Sequence, residues 1–283
     1  MSGRPAGLVD LHLHTTASDG RCTPEELVQH AARAGVGVMA VTDHDTTAAI
    51  AEVRATAVLH GIQTVTGIEI TAVHDQRDVH VLGYCLDPGH DGLASFLVTQ
   101  RTARVERVRA IGARLAALGV PIAVEPLVQH ARAVNGRSIG RPQVARAMVE
   151  AGHVANLQEA FDRWLGHGRP GFVPREGASP AAVIDVIHGA GGLASLAHPG
   201  KLGLESQVAS LAEGGLDAVE VFHPDHDEVL VDHYRALARQ LGLLMTGGSD
   251  YHGDPAHGRQ PGSVSLPVAE FERLRAARPD AFA

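Results

Sequence analysis

Apolar residues in this chain gather into short runs, each followed by polar residues of ligand type, with stretches of helical period between them. Leu8 to Leu13 reads as a buried strand that runs out into Thr15-Thr16-Ala17-Ser18-Asp19-Gly20. Thr23-Pro24-Glu25-Glu26 then opens a helix: Thr23 caps, Pro24 suits the first position, and Glu26 completes a capping box. Leu27, Val28, Ala31 and Ala32 supply its apolar face and Gly35 ends it. Val36 to Val41 is a second run of strand length, leading straight into Thr42-Asp43-His44-Asp45. Strand, helix, strand is the start of a βα repeat and predicts a parallel sheet.

The rhythm continues. A helix over about Thr47 to His60 leads to a strand at Ile62 to Val65, which delivers Gly67-Ile68-Glu69. Val79 to Tyr84 is a short strand with His80 inside it. Ser179-Pro180 opens another helix, and three further strands follow. Leu193 to Ala197 ends in His198-Pro199, Ala218 to Phe222 in His223-Pro224, and Leu243 to Met245 in Gly247-Gly248-Ser249-Asp250-Tyr251-His252. In a parallel α/β barrel the strand C-termini meet on one rim, where sites are built. Histidines scattered through a core would not choose the same end of nearly every strand. Since alternate strand residues share a face, His12 and His14 point the same way and can begin a metal site.

Residues 89–175 break the pattern. A long helix over Leu93 to Leu118, with Val98, Val105, Val108, Ile111 and Leu115 near helical spacing, is followed by Pro121 and Pro126. A short helix around Gly140-Arg141-Pro142 and another over Asn156 to Leu165 complete a segment without strand rhythm. The expected organisation is a barrel built from residues 1–88 and 176–283, with a helical insertion over 89–175. Arg101, Arg104, Arg107, Arg109 and Arg114 spread around the long helix and read as a solvated face. Trp164 reads as an anchor of the insertion's small core.

Composition narrows the chemistry. The chain has 283 residues, 45% hydrophobic and 20% charged, enough for a sizeable core. Its net charge of −8 argues against a broad footprint for duplex DNA. Two cysteines without Cys-x-x-Cys spacing argue against a disulfide framework and a thiolate zinc site, while 18 histidines raise the expectation of metal or acid–base chemistry. No signal segment and no membrane-length apolar run stand out, so a cytoplasmic protein is expected. His30, His257 and the other histidines outside the strand ends read as ordinary surface or core residues.

Asp-Leu-His-x-His at 10–14 with Asp19, Thr-Asp-His at 42–44, Glu69, Ala-His-Pro at 197–199 and Gly-Ser-Asp-Tyr-His at 248–252 resemble the four motifs of the PHP (polymerase and histidinol phosphatase) superfamily. The insertion, with its Gly-Arg-Pro and Phe-Asp-Arg-Trp-Leu segments, resembles the branch of nucleoside 3′,5′-bisphosphate phosphatases that also trim RNA from the 5′ end. The resemblance implies a distorted (β/α)7 barrel with two or three divalent ions. His12, His14, Glu69 and Asp250 would hold the first. Glu69 would bridge to a second held with His80 and His198, and Asp19, His44 and His252 would hold a third.

Imidazole and carboxylate donors without thiolate suit manganese, zinc or iron, of which manganese is the first expectation. The implied reaction is hydrolysis of a 3′-phosphate, as in pAp, or of a short RNA 5′ end, by a metal-activated water. Asp19 or His252 would help protonate the leaving oxygen, and Asp43 would support the neighbouring ligands. Ser138 and Arg141 are the substrate contacts that the motif implies, with Arg175 and His223 as further candidates. Gln143 is also a candidate substrate contact, although it stands where related sequences often carry histidine. A phosphatase for another phosphomonoester, such as histidinol phosphate, and a metal-holding module without turnover remain the alternatives.

Overall fold

The computed structural model describes residues 7–133, 136–202, 205–254 and 258–282; His257 lies outside them. Among these residues seven strands form one sheet in sequence order: β1 (Leu8–Leu13), β2 (Val36–Val41), β3 (Gln63–His74), β4 (Arg77–Tyr84), β5 (Leu193–Leu196), β6 (Ala218–Phe222) and β7 (Leu244–Gly247). Helices α1 (Pro24–Arg33) and α2 (Ile50–Leu59) connect the first three strands. The capping box at Thr23 is present: its hydroxyl accepts from the Glu26 N–H, and the Glu26 carboxylate accepts from the Thr23 N–H.

The parallel expectation fails at β4. β1, β2 and β3 pair in parallel, as do β5, β6 and β7, but β4 runs antiparallel to both β3 and β5. The cause is local. Asp75 and Gln76 both hold positive φ, 48° and 61°, and link His74 directly to Arg77. Two residues in this conformation make a tight hairpin, and a parallel crossover needs a dozen or more. The hairpin also lengthens β3, so Glu69 sits inside the strand rather than beyond its end. Because β4 is reversed, its first half reaches the rim where the other strands finish, and His80 arrives there with them, opposite Thr71.

The sheet curls like a barrel. A parallel bridge joins Leu13 to Tyr251, where the His14 N–H donates to the Tyr251 carbonyl at 3.0 Å. Further along β1 the Leu266 N–H donates to the Val9 carbonyl at 2.9 Å. Tyr84 reaches across the interior, its hydroxyl donating to the Leu11 carbonyl at 2.9 Å. Val9, Leu11, Val38, Leu82 and Tyr84 fill the interior together with Phe271 and Leu274 from α11 (Val268–Ala277).

Between β4 and β5 come α3 (Asp91–Ala117), α4 (Val124–Ala133), α5 (Arg141–Glu150), α6 (Leu157–Ala160), a π turn over Phe161–Leu165, and α7 (Pro180–Gly189). Leu93 and Leu97 of α3 belong to the barrel's core, while Val108, Ile111 and Leu115 join a separate apolar cluster with α4, α5 and α6. Val98, expected on the apolar stripe, is 56% exposed, because the buried face follows Leu93, Leu97 and Gln100 instead. Pro126 does not break α4, since it lies in the first turn, where no intrahelical N–H bond is lost. Helices α8 (Pro199–Leu202) and α9 (Glu205–Glu213) follow β5, and α10 (Glu228–Leu241) packs against β6 and β7. No helix among the described residues is long and apolar enough to cross a membrane.

Candidate metal and phosphate site

At the rim, strand geometry brings the motif residues together. His12 and His14 share the inner face of β1, with ring centroids 5.1 Å apart. Glu69 of β3 lies at the centre. Its Oε2 is 3.1 Å from His12 Nε2, 3.2 Å from His14 Nε2 and 3.3 Å from His44 Nδ1. Its Oε1 is 2.7 Å from His80 Nδ1 and 3.3 Å from His198 Nε2. Asp250 Oδ1 is 3.4 Å from both His12 and His14 Nε2, and Asp19 is 3.3 Å from His252 and 3.5 Å from His44. All nine sequence-predicted ligand positions therefore meet in one cage. His198 and Asp250 hold φ of 29° and 48°, strained for side-chain-bearing residues, at the strand ends where they enter it.

The donor set fits divalent cations. Three groups place donor atoms within 4.8 Å of one another: His14, Asp19, His44 and His252; His12, His14 and Asp250; and His44, Glu69 and His80. Both ring nitrogens of His14, with His44 Nδ1 and His80 Nδ1, are buried without a hydrogen-bond partner, although carboxylate oxygens lie close. Buried polar atoms are nearly always satisfied, and imidazole lone pairs that face carboxylates off the hydrogen-bonding line suit a shared cation.

Protonation follows the same geometry. Burial opposes the charged form of His14, but the nearby carboxylates of Asp250, Glu69 and Asp19 outweigh it and raise its pKa to about 10. Burial dominates at His44, which falls to about 3 and stays a neutral donor. Burial would raise Glu69, yet the imidazoles of His44, His80 and His12 hold it well below the carboxylate range. Between pH 6.5 and about 10 the metal-free chain thus keeps on His14 a proton that an unfolded chain would release. This contribution to stability is full below 6.5 and is lost as the pH rises through about 10. A cation at His14 must displace that proton, so its affinity rises with pH across the same window. Calorimetric titration of metal-free protein with manganese, in buffers of different ionisation enthalpy, is expected to show net proton release near pH 7.5. Zero release would contradict a protonated His14.

Residues behind the cage were less visible in the sequence. His12 Nδ1 donates to Glu220 Oε1 at 2.9 Å, and the His198 N–H donates to Glu220 Oε2 at 2.8 Å. A carboxylate there fixes which ring nitrogen of His12 faces the cage. Its signal was a single charge inside the apolar strand Ala218-Val219-Glu220-Val221-Phe222. Asp10 accepts from the N–H groups of His12, Ser249 and Gly262 and from the Ser249 hydroxyl, tying β1 to the Asp250 turn. Asp43 supports the ligands through the loop, accepting from Thr15 and Ser18 rather than from an imidazole. His223 does not line the cavity; it is buried, with Nε2 3.3 Å from Asp250 Oδ2.

The cage opens into a cavity of about 470 Å³. Its lining includes Arg104, Arg107, Arg141 and Arg175. Arg104 and Arg107 are therefore not a solvated face. Together with Arg101 they recur at i, i+3 on the inward side of α3, while Arg109 points out to Glu106 and Glu125. Arg141 donates to Asp78 Oδ2 at 2.9 Å and Arg107 to the same oxygen at 2.8 Å. Arg175 donates to Asp45 Oδ2 at 3.1 Å, where Arg104 also binds. Ser138 Oγ is buried beside this wall without a hydrogen-bond partner. Gln143 is turned to the protein: its amide N–H donates to the Ser18 carbonyl at 2.7 Å and its oxygen accepts from the Gly140 N–H at 2.8 Å.

A curled seven-stranded α/β sheet with a His/Asp/Glu cage on its rim and an arginine-lined cavity beside it defines a class, the barrels suited to divalent metals and anionic substrates. The chain belongs to the PHP-domain family, whose model matches residues 10–162. It is 38% identical to the 5′-3′ exoribonuclease Rnm of Escherichia coli over 87% of this chain and 86% of that protein. It is 33% identical to the 3′,5′-nucleoside bisphosphate phosphatase of Chromobacterium violaceum over 90% of each. A candidate metal-dependent phosphoesterase of Bifidobacterium adolescentis has a solved structure that superposes with a TM-score of 0.85 at 30% identity, covering 97% of each chain.

Proposed function

We propose that this protein is a metal-dependent phosphoesterase that removes the 3′-phosphate of nucleoside 3′,5′-bisphosphates and trims short RNA from its 5′ end. One observation carries the reading: the ligand cage and the arginine wall open into the same cavity. Four guanidiniums against the two carboxylates Asp45 and Asp78 leave two positive charges unmatched, the complement of a phosphate dianion. A substrate with one phosphate needs only the cage; one with two engages the arginines as well. The relatives in Escherichia coli and Chromobacterium violaceum carry names of these two activities.

In this reading His12, His14, Glu69 and Asp250 hold one ion, Glu69, His80 and His198 a second, and Asp19, His44 and His252 a third, with manganese the preferred metal. Bound divalent cations supply charge neutralisation at the phosphoryl group and an acidified water. The chain's own residues do the rest. Arg141 and Arg175, with Arg104 and Arg107, orient the substrate by its second phosphate, and Ser138 adds a hydroxyl. With only the first two ions bound, His252, a partly exposed imidazole 3.3 Å from Asp19, is free to pass a proton to the leaving oxygen; as a ligand of the third it gives up that role. Glu220 keeps His12 oriented. The segment 89–175 acts as the insertion that supplies the anion wall, and a cytoplasmic setting fits such a substrate.

The test is phosphate release from pAp by chelator-stripped protein, with and without manganese. Release only with manganese supports the proposal. Binding of manganese without release from pAp would remove the bisphosphate assignment, and equal release in its absence would remove the metal.

A further inference from the structure

Loops at a barrel rim are usually its most mobile parts. Here the loop that carries Asp19 is held from outside. Three successive carbonyls, those of Ala17, Ser18 and Asp19, each accept a hydrogen bond from the segment 138–146. The Ser138 N–H donates to Ala17 at 2.8 Å, the Gln143 amide to Ser18 at 2.7 Å, and the Arg146 guanidinium to Asp19. Gln143 has no freedom to flip, since its oxygen is engaged by the Gly140 N–H at 2.8 Å. Gln143 and Arg146 are one turn apart and so share an edge of α5. Within the loop, Thr15 and Ser18 donate to Asp43, and the Arg21 N–H donates to the His252 carbonyl at 2.8 Å. The loop is thus pinned between its own neighbours and α5, with the Asp19 carboxylate turned toward His14, His44 and His252.

We propose that Gln143 and Arg146 act as positioning residues, a clamp on the backbone of the Asp19 loop that presets the ion position formed by Asp19, His44 and His252. The proposal rests on the metal-centre reading above. A carboxylate on an unclamped loop would lose order each time the ion departs, and ordering it again would weaken binding. The other two ion positions draw their donors from β1, β3, β4 and the ends of β5 and β7, and need no contact from α5. Loss of the clamp therefore weakens one position out of the set.

The experiment is a manganese titration of chelator-stripped protein without substrate, with free ion followed by electron paramagnetic resonance to give the number and affinity of binding steps. Wild type is compared with Gln143→Ala/Arg146→Ala and with Arg146→Lys, which keeps a donor for the Asp19 carbonyl. The double variant is expected to lose one step or weaken it by about ten- to hundredfold, in the range seen when groups supporting metal ligands are removed. The remaining steps stay unchanged, and Arg146→Lys recovers most of the loss. Thermal melts of the metal-free proteins check the fold; should the double variant not fold, Arg146→Ala alone carries the same expectation. Steps identical to wild type, equal weakening of every step, or a wild type without the third step would overturn the clamp. A wild type that binds no manganese would overturn the metal reading itself.

Discussion

Glu69→Gln is expected to lower kcat/KM for pAp by about 10³-fold or more, because in the proposed reading its charge would serve two ions and support several kcal/mol of transition-state stabilisation. No other carboxylate in the cage has a comparable position. Its two oxygens divide five imidazoles between them, His12, His14 and His44 on one side and His80 and His198 on the other. Glutamine keeps the shape, but it removes the charge and points an amide N–H₂ at ring nitrogens that must act as donors to a cation. At 1% exposure the residue has no room to turn the amide away. Steady-state kinetics and ion content measured on the same preparation decide the matter. Activity within a few-fold of wild type, with a full ion complement, would sink the bridging role.

Arg141→Ala should discriminate between substrates. Arg141 lines the cavity, with its guanidinium 5.9 Å from the Phe161 ring centre and 5.8 Å from that of Phe172. The two rings and Asp78 hold the planar fork in place. A charge-assisted hydrogen bond to phosphate is worth about 1.5–3 kcal/mol, so the loss on pAp should be about ten- to hundredfold in kcat/KM, mostly in KM. A nucleoside 3′-monophosphate lacks the second phosphate and should lose little. Arg109→Ala, on the outer side of α3, serves as the unaffected control. Equal losses on the two substrates would show that Arg141 supports the fold of the pocket and does not read the second phosphate.

Much of the frame was legible because its signals are local. The strand Val36–Val41 and the capping box at Thr23 depend on residues a few positions apart, and both stand where the pattern puts them. The histidines and carboxylates at the strand ends were legible for a related reason: burial and parallel direction bring such ends to one rim. Where direction changed, reading became harder. The turn Asp75-Gln76 lacks the glycine that usually marks a two-residue hairpin, so β4 read as another parallel strand. His80 was found through the family resemblance, and only the reversal of β4 explains how a residue in the first half of a strand reaches the rim.

The sequence by itself determined the strand rhythm, the ligand types and their order along the chain. Tertiary structure decided which long polar side chains turn inward. Arg104 and Arg107 read as a solvated face because a helix shows its charges identically whether it borders water or a cavity. They face inward because Asp45 and Asp78, far away in the chain, wait there. Gln143 read as part of the substrate pocket and instead holds Ser18. Glu220 read as nothing at all, a charge within an apolar strand, until the fold set it against His12. Periodicity records whether a position is buried or exposed; the partner of a buried charge comes from a distant segment, and only the folded chain supplies it.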